Sequence, residues 1–174
     1  MNHLRYPIDV FRPEYSLTAD RRRALISEMA EAPGALRAAV NGLSEAQLDT
    51  AYRPGGWSVR QVVHHLADAQ LNWYIRTKLA LTEDKPTIKP FDEARWAELE
   101  DARRGPIEPS LVLFDGLYQR WVRLFEGLTP ADWGREFLHP ERGDLTIEYT
   151  LPMQVWHGHH HTAQITELRK RMGW

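Results

Sequence analysis

Residues 57–82 read WSVRQVVHHLADAQLNWYIRTKLALT, and this segment carries the clearest fold signal in the chain. Ser58 and Gln61 have the spacing of a capping box, in which each side chain accepts a hydrogen bond from the backbone amide of the other residue. No glycine or proline follows until Pro86. The segment therefore predicts one long helix that begins at about Ser58 and ends at about residue 82.

Three other segments have helical periodicity. Apolar residues recur every three or four positions over 18–43, which predicts a helix, and Pro33 should divide it into two pieces. A strong pattern over 111–125 predicts a third long helix. A fourth is expected over 150–172, where Pro152 lies in the first turn and is tolerated.

The connections between these helices complete the predicted architecture. The four prolines of residues 83–109 indicate a long crossover connection, with a short helix predicted over 92–99. Residues 137–147 predict either a small hairpin or a loop, and residues 1–17 an extended arm. The whole pattern predicts an all-α four-helix bundle that forms one domain over 1–174.

The composition limits the possible functions. The chain has 174 residues, of which 43% are hydrophobic and 26% are charged, as expected for an ordinary globular protein. It has no cysteine, which excludes disulfides, thiolate metal sites and cysteine nucleophiles. A net charge of −2 argues against nucleic-acid binding, and without a long apolar run or a signal core we expect a cytoplasmic protein that does not bind membranes.

Six of the eight histidines fall in two clusters, one of which lies in the predicted fourth helix. Because each residue turns a helix by about 100°, His157 and His161 lie about 40° apart and share a face. That face also carries apolar residues and should point inward. His160 is a marginal alternative, and His159 lies opposite, where solvent is expected.

The other cluster lies in the segment 57–82. His65 belongs to a polar stripe bordered by apolar residues, which is typical of a cavity lining. His64 lies about 100° away, so we expect it to hydrogen-bond Asp68 or to lie at the bundle edge. His65 is therefore the third candidate ligand. The stripe consists of Ser58, Gln61, His65, Ala69, Asn72 and Arg76.

Three neutral imidazoles with one open position are typical of a catalytic divalent metal site, whereas structural zinc sites usually have four protein ligands. Imidazole binds zinc, nickel, copper or iron, and we expect zinc with nickel as an alternative. The competing interpretation is that these histidines are hydrogen-bonded core residues or bind metal adventitiously at the surface.

Four further residues are weaker candidates. Gln164 lies close enough to the histidine face to orient a ligand or a bound water by a hydrogen bond. Asp68 or Glu167 could act as a general base or hydrogen-bond a ligand, although a solvated helix face explains both. Arg76 could hold an anionic group of a substrate, but a surface ion pair is the preferred interpretation. The tryptophans are expected in the core.

Two segments resemble a known family. They are YRPGGWSVRQVVHHLAD at 52–68 and VWHGHHHTAQI at 155–165. Both are similar to the DinB-like superfamily and, within it, to YfiT-type metal-dependent hydrolases, which are related to bacillithiol S-transferases. The likeness extends to residues 79–83, 86–91 and 171–174 and so spans almost the whole chain.

The resemblance implies a homodimeric four-helix bundle with one metal ion, held by His65, His157 and His161, and solvent in the remaining positions. Relatives can have histidine at the position of Gln164, so a fixed role for this residue is not implied. The implied activity is hydrolysis by a metal-activated water. The alternatives are transfer of a low-molecular-weight thiol such as bacillithiol to an electrophile, which needs no carboxylate base, and a non-catalytic, metal-stabilised dimeric binding or stress protein.

Overall fold

The computed structural model describes residues 2–174 and contains four long helices, four short ones and one hairpin within that range. A single 3-10 turn at Asp132–Gly134 precedes the hairpin. The helices are α1 (Asn2–Arg5), α2 (Ala19–Val40), α3 (Glu45–Leu48), α4 (Val59–Thr82), α5 (Glu93–Trp96), α6 (Glu100–Arg104), α7 (Glu108–Glu126) and α8 (Ile147–Met172), and the strands are β1 (Glu136–His139) and β2 (Gly143–Thr146).

The four long helices form the predicted bundle, in which α2 and α8 run parallel, α4 and α7 run parallel, and the two pairs are antiparallel to each other. The connection over residues 83–107 crosses back to the start of α4, so α7 runs in the same direction as α4. The contacts that define these directions are Arg22 with Glu148 and Arg169 with Ala39 for the first pair, His64 with Ser110 and Tyr74 with Trp121 for the second, and Gln70 with His157 between α4 and α8.

The start of α4 has the predicted capping box. The Gln61 amide donates to Ser58 Oγ over 3.1 Å, and the Ser58 amide donates to Gln61 Oε1 over 2.9 Å. Two otherwise unpaired amides of the first turn are thereby satisfied. The hairpin also forms, as an antiparallel pair in which Glu136 is opposite Thr146.

Helix α2 is continuous, so the predicted division at Pro33 is wrong. Proline has no N–H to donate to the Met29 carbonyl, and its presence within a helix costs about 3 kcal/mol. Leu25 and Leu36, on either side of it, are each 1% exposed in the same core. Burial of one such side chain contributes about 1.5–3 kcal/mol, so continued packing against α7 and α8 offsets the loss.

The N-terminal arm differs from the expected extended segment because residues 2–5 form α1. Met1 lies outside the described residues. From residue 6 to residue 18 the arm lacks regular structure and follows the surface of α8. The indole nitrogen of Trp156 donates to the Asp9 carbonyl over 3.3 Å, and the Phe11 ring packs edge-on against Tyr149.

The core lies between the long helices and is rich in aromatic residues. Gly158 of α8 faces Ala32 of α2, and a Cβ at this glycine would lie 3.6 Å from the alanine methyl, so the two helices approach closely. Within residues 2–174, the helices are all too short or too polar to cross a lipid bilayer. The largest fully buried side chains include Phe114, Tyr118, Trp121, Phe125 and Phe137.

Candidate metal centre

His65, His157 and His161 converge where α4 faces α8. One nitrogen from each ring lies within 4.8 Å of the nitrogens of the other two. The ring centroids of His157 and His161, one turn apart on α8, are 4.6 Å apart, and the His65 centroid lies 4.8 Å from that of His161. Zn–N bonds of 2.0–2.1 Å in a tetrahedral site require nitrogens about 3.3 Å apart, a difference that side-chain rotation can close.

Burial keeps these three rings neutral. Desolvation lowers the pKa of all three well below the usual histidine value, and the neighbouring imidazoles lower it further because two charged rings would repel. A neutral imidazole is the form that binds a metal ion. The donor set therefore fits a divalent cation near neutral pH.

Gln164 determines which nitrogen of His161 is free. Its Oε1 lies 2.9 Å from Nδ1 of His161, and since a carbonyl oxygen can only accept, Nδ1 carries the proton. The lone pair of His161 is thus on Nε2. The same amide donates from Nε2 to the Arg5 carbonyl over 2.9 Å, which links the ring to the N-terminal arm. Gln164 lies where the sequence predicted a residue that orients a ligand.

Gln70 is a site residue that the sequence analysis missed. It is fully buried, and its Nε2 lies 3.1 Å from Nδ1 of His157, while its Oε1 has no hydrogen-bond partner within residues 2–174. A half-turn of the amide would place Oε1 against a protonated Nδ1 and leave Nε2 of His157 for a metal. Gln70 lies about 140° from His65 on α4, outside the polar stripe, so only the position of α8 could reveal it.

Asp68 does not reach the three histidines, so its tentative assignment to the site is corrected. It faces Asp101 of α6, and burial together with that like charge raises the pKa of Asp68 to about 6. Its direction on α4, about 60° from His65, points toward the crossover connection. Glu167 is also outside the site, since its carboxylate pairs with Lys170 on the solvent side of α8.

His64 is buried but does not bond Asp68 as expected. Its Nδ1 lies 2.7 Å from Ser110 Oγ, and its Nε2 lies 3.2 Å from the Gly105 carbonyl oxygen. It therefore joins α4 to the start of α7.

The other two histidines of α8, His160 and His159, lie outside the cluster of three. The His160 ring stacks on Trp156, with centroids 4.6 Å apart, and its Nε2 lies 3.0 Å from Nε2 of Gln164. It borders the three converging rings without being one of them. His159 is partly exposed on the other side of α8.

The predicted polar stripe of α4 lies only in part along the site. His65 and Ala69 line the cavity beside the metal centre, whereas Gln61 donates to the Ala97 carbonyl over 2.7 Å. Arg76 donates to the Lys89 carbonyl over 3.0 Å and is 4% exposed, so the predicted surface ion pair is wrong. Both side chains are covered by the crossover connection, whose position the helical pattern could not predict.

A cavity of about 500 Å³ opens beside the three rings. Trp57 lies at its wall, with its ring centroid 4.5 Å from that of His65, and Trp156 lines it as well. The expectation that the tryptophans are core residues holds for Trp121 but not for these two. The cavity also contains three arginines and, among the described residues, one carboxylate; these are Arg5, Arg53, Arg142 and Glu93.

The fold and this site together define a helical-bundle protein with a candidate three-histidine metal centre. The sequence pattern of the DinB superfamily matches residues 28–165. The chain belongs to the DinB superfamily.

Curated relatives match over their full length. The chain is 51% identical over 173 residues to a protein of Geobacillus thermodenitrificans, covering 98% of this chain and 97% of the relative. It is 48% identical over 174 residues to a Bacillus cereus protein, covering 100% of both. Each bears the name "putative metal-dependent hydrolase".

A solved structure is similar throughout. YfiT from Bacillus subtilis is described as a probable metal-dependent hydrolase with an unusual four-helix bundle topology. It superposes with a TM-score of 0.97 at 46% sequence identity, covering 99% of each chain. The parallel α4–α7 pair produced by the crossover is a departure from the usual up-down-up-down bundle.

Proposed function

We propose that this protein is a metal-dependent hydrolase whose ion is held by His65, His157 and His161. The observation that carries the proposal is the convergence of three neutral ring nitrogens within 4.8 Å. The names of the relatives support it. We propose zinc as the ion and nickel as the alternative, since both accept imidazole ligands.

The protein residues around the ion would divide the remaining work. Such an ion, when bound, acts as a Lewis acid that lowers the pKa of a water or thiol. Gln164 holds the His161 ring in the orientation that presents Nε2. Gln70 would do so for His157 with its amide turned so that Oε1 accepts from Nδ1. Trp57 covers His65 on the cavity side and limits the access of bulk water.

A second candidate function is transfer of a low-molecular-weight thiol, such as bacillithiol, to an electrophile. One observation favours it: among the described residues, Glu93 is the single carboxylate that lines the cavity, and it does not belong to the histidine cluster. Hydrolysis commonly uses a general base to take a proton from water. A thiol ionises far more easily than water, so its transfer needs no such base.

The two functions are separated by one set of assays. Protein freed of metal by chelation is reloaded with zinc or nickel and given ester and amide substrates, and separately bacillithiol with a chromogenic electrophile. We expect one ion per chain by elemental analysis and turnover in one of the two assays. His161→Ala should lose the bound ion and reduce the rate by about 100-fold or more.

The matched control is His159→Ala, which removes an imidazole from the same helix outside the cluster. It should retain both ion and rate. Turnover that survives His161→Ala would refute the catalytic role of the centre, and an ion that stabilises the protein without any turnover would favour the non-catalytic alternative.

We also propose that the active protein is a homodimer, as the family resemblance implies. Light scattering coupled to gel filtration should give twice the 20.3 kDa mass of the chain. A monomeric mass at micromolar concentration would refute this.

A further inference from the structure

Arg76 is a buried cation without an anionic partner. The side chain is 4% exposed, and its one hydrogen bond within residues 2–174 goes to the Lys89 carbonyl. Across the same residues, no carboxylate oxygen lies within 4 Å of its guanidinium, although many arginines elsewhere in the chain form ion pairs. A buried charge without a partner is destabilising by several kcal/mol, so its retention needs an explanation.

A second guanidinium lies near the same indole ring. Arg142, in the turn between β1 and β2, has its Cζ 5.9 Å from the centre of the Trp73 ring. The Cζ of Arg76 lies 4.9 Å from the same ring centre. The indole partly compensates both cations through cation–π attraction. Their mutual repulsion remains, and together with burial it lowers the pKa of Arg76.

The nearby carboxylates do not neutralise this pair. Glu93 and Glu141 favour the charged form of Arg76, but both are exposed and neither forms an ion pair with it within 4 Å. The guanidiniums of Arg5 and Arg53, which line the same cavity, likewise have no ion-pair partner among the described residues. The cavity is therefore electropositive in a chain whose net charge is −2.

Arg142 connects this arginine pair to the metal centre. Arg142 and Trp73 line the cavity that also contains His157 and His161, whereas Arg76 lies behind Trp73 and is covered by the crossover connection. A molecule that fills the cavity can therefore contact the histidine rings and the Arg142 guanidinium at once.

We propose that Arg142, reinforced by the charge of the nearby Arg76, forms an oxyanion-binding subsite, and that the ligand of this cavity is an organic anion with an apolar portion. Its carboxylate or phosphate-type group binds at the guanidinium of Arg142, and its apolar portion lies against Trp73 and Phe91. That this ligand is also the substrate rests on the proposed function of the metal centre.

The physical argument is one of charge compensation. An anion bound at Arg142 offsets the repulsion between the two guanidiniums and accepts charge-assisted hydrogen bonds, which are about twice as strong as neutral ones. Arg142 is exposed and forms no ion pair within residues 2–174, so its five N–H donors can meet a ligand in the cavity. Arg76 is fixed by burial, so its charge adds to the attraction without any loss of rotational freedom.

The test uses three probes that are similar in size and shape and differ in their polar group: 3-phenylpropionate, 3-phenylpropionamide and 2-phenylethylphosphonate. Each is titrated by calorimetry into protein freed of metal, so that a carboxylate cannot report binding to an ion. We expect the two anions to bind at least about tenfold more tightly than the amide. The stronger of the two identifies the oxyanion type.

Variants locate the binding. Arg142→Gln should weaken anion binding by about tenfold, and Arg142→Lys should restore part of it because the charge returns. Arg123→Gln is the matched control, since it removes an exposed arginine of α7 that does not line the cavity. It should leave the affinity unchanged. Thermal unfolding of each variant verifies that it is folded.

Any of three results would refute the proposed subsite. They are equal affinity for the amide and the acid, no measurable binding of the acid, and unchanged anion affinity in Arg142→Gln. The outcome is independent of the metal centre. The titrations use metal-free protein and measure binding alone, so the anions should still bind where the proposed hydrolase or transferase activity fails.

Discussion

At the scale of single residues, a histidine that binds a metal through one ring nitrogen is oriented by a hydrogen bond from the other. His161 has this bond with Gln164, and His157 is in contact with Gln70. The orientation of His65 depends on packing instead, because its ring lies against Trp57 with centroids 4.5 Å apart. We therefore expect the two glutamines to affect metal affinity through the histidine rings that they contact.

We predict that Gln70→Leu lowers metal affinity by about tenfold to a hundredfold, because the apolar side chain cannot form the hydrogen bond that orients His157. Gln154→Leu is the matched control. Gln154 is also fully buried, but neither of its amide atoms has a hydrogen-bond partner within residues 2–174. A competitive zinc titration measures both, and equal losses in the two variants would contradict the specific role of Gln70.

The sequence predicts those site residues whose geometry is set by one helix. The pairing of His157 with His161 follows from a turn of about 100° per residue alone. Gln70 and Arg76 could not be assigned, because their surroundings are created by α8 and by the crossover connection. The helical pattern predicts the direction of a side chain on its own helix, but not which other segments of the chain cover it.

At the scale of elements, local signals predicted helix starts better than they predicted interruptions. The capping box at Ser58 and Gln61 is a contact between residues three positions apart, so the sequence alone predicts it. The effect of Pro33 depends on long-range packing, which keeps α2 intact. Residues 2–5 form a helix although the arm has no sustained period, and no signal in the sequence predicted it.

The packing of α6 against α4 leads to a pH-dependent prediction. Asp68 and Asp101 face each other across these helices, and the pKa of Asp68 is raised to about 6 by burial and by that charge. The folded protein therefore holds this proton more tightly than the unfolded chain, so ionisation between about pH 4 and pH 6 reduces stability. The loss is absent below that interval and complete above it.

Asp68→Asn removes the ionisation and should raise the free energy of unfolding at pH 7.5 by roughly 1 kcal/mol, after allowance for solvent screening. The difference from the parent protein should shrink as the pH falls from 6 toward 4. Urea unfolding at several pH values measures it. Asp84→Asn, at an exposed position in the crossover, is the control, and a gain independent of pH would contradict the argument.

At the scale of the whole molecule, the metal centre depends on how distant segments are brought together. His65 and His161 are 96 positions apart in sequence and become neighbours because α4 and α8 pack antiparallel. The crossover and the hairpin then form one side of the cavity, while the arm reaches the other through the Gln164 contact with Arg5. These contacts between distant segments can be predicted only from the family resemblance or seen in the structure itself.

An ion at this junction would join two helices of the bundle and bind only the folded chain. Zinc at about 100 times its dissociation constant should then stabilise the protein by about 2.7 kcal/mol. For a chain of this size, that corresponds to a rise of about 5–10 °C in the unfolding midpoint. The rise should disappear on addition of a chelator and should depend on zinc concentration.

Differential scanning calorimetry of the metal-free and zinc-loaded forms measures the shift, and the pattern among variants assigns its source. His65→Ala removes the ligand from α4 and should abolish the rise, because the ion would no longer join α4 to α8. His159→Ala should preserve it in full. A rise of equal size in His65→Ala would mean that zinc binds α8 alone or elsewhere, and it would contradict a centre shared between the two helices.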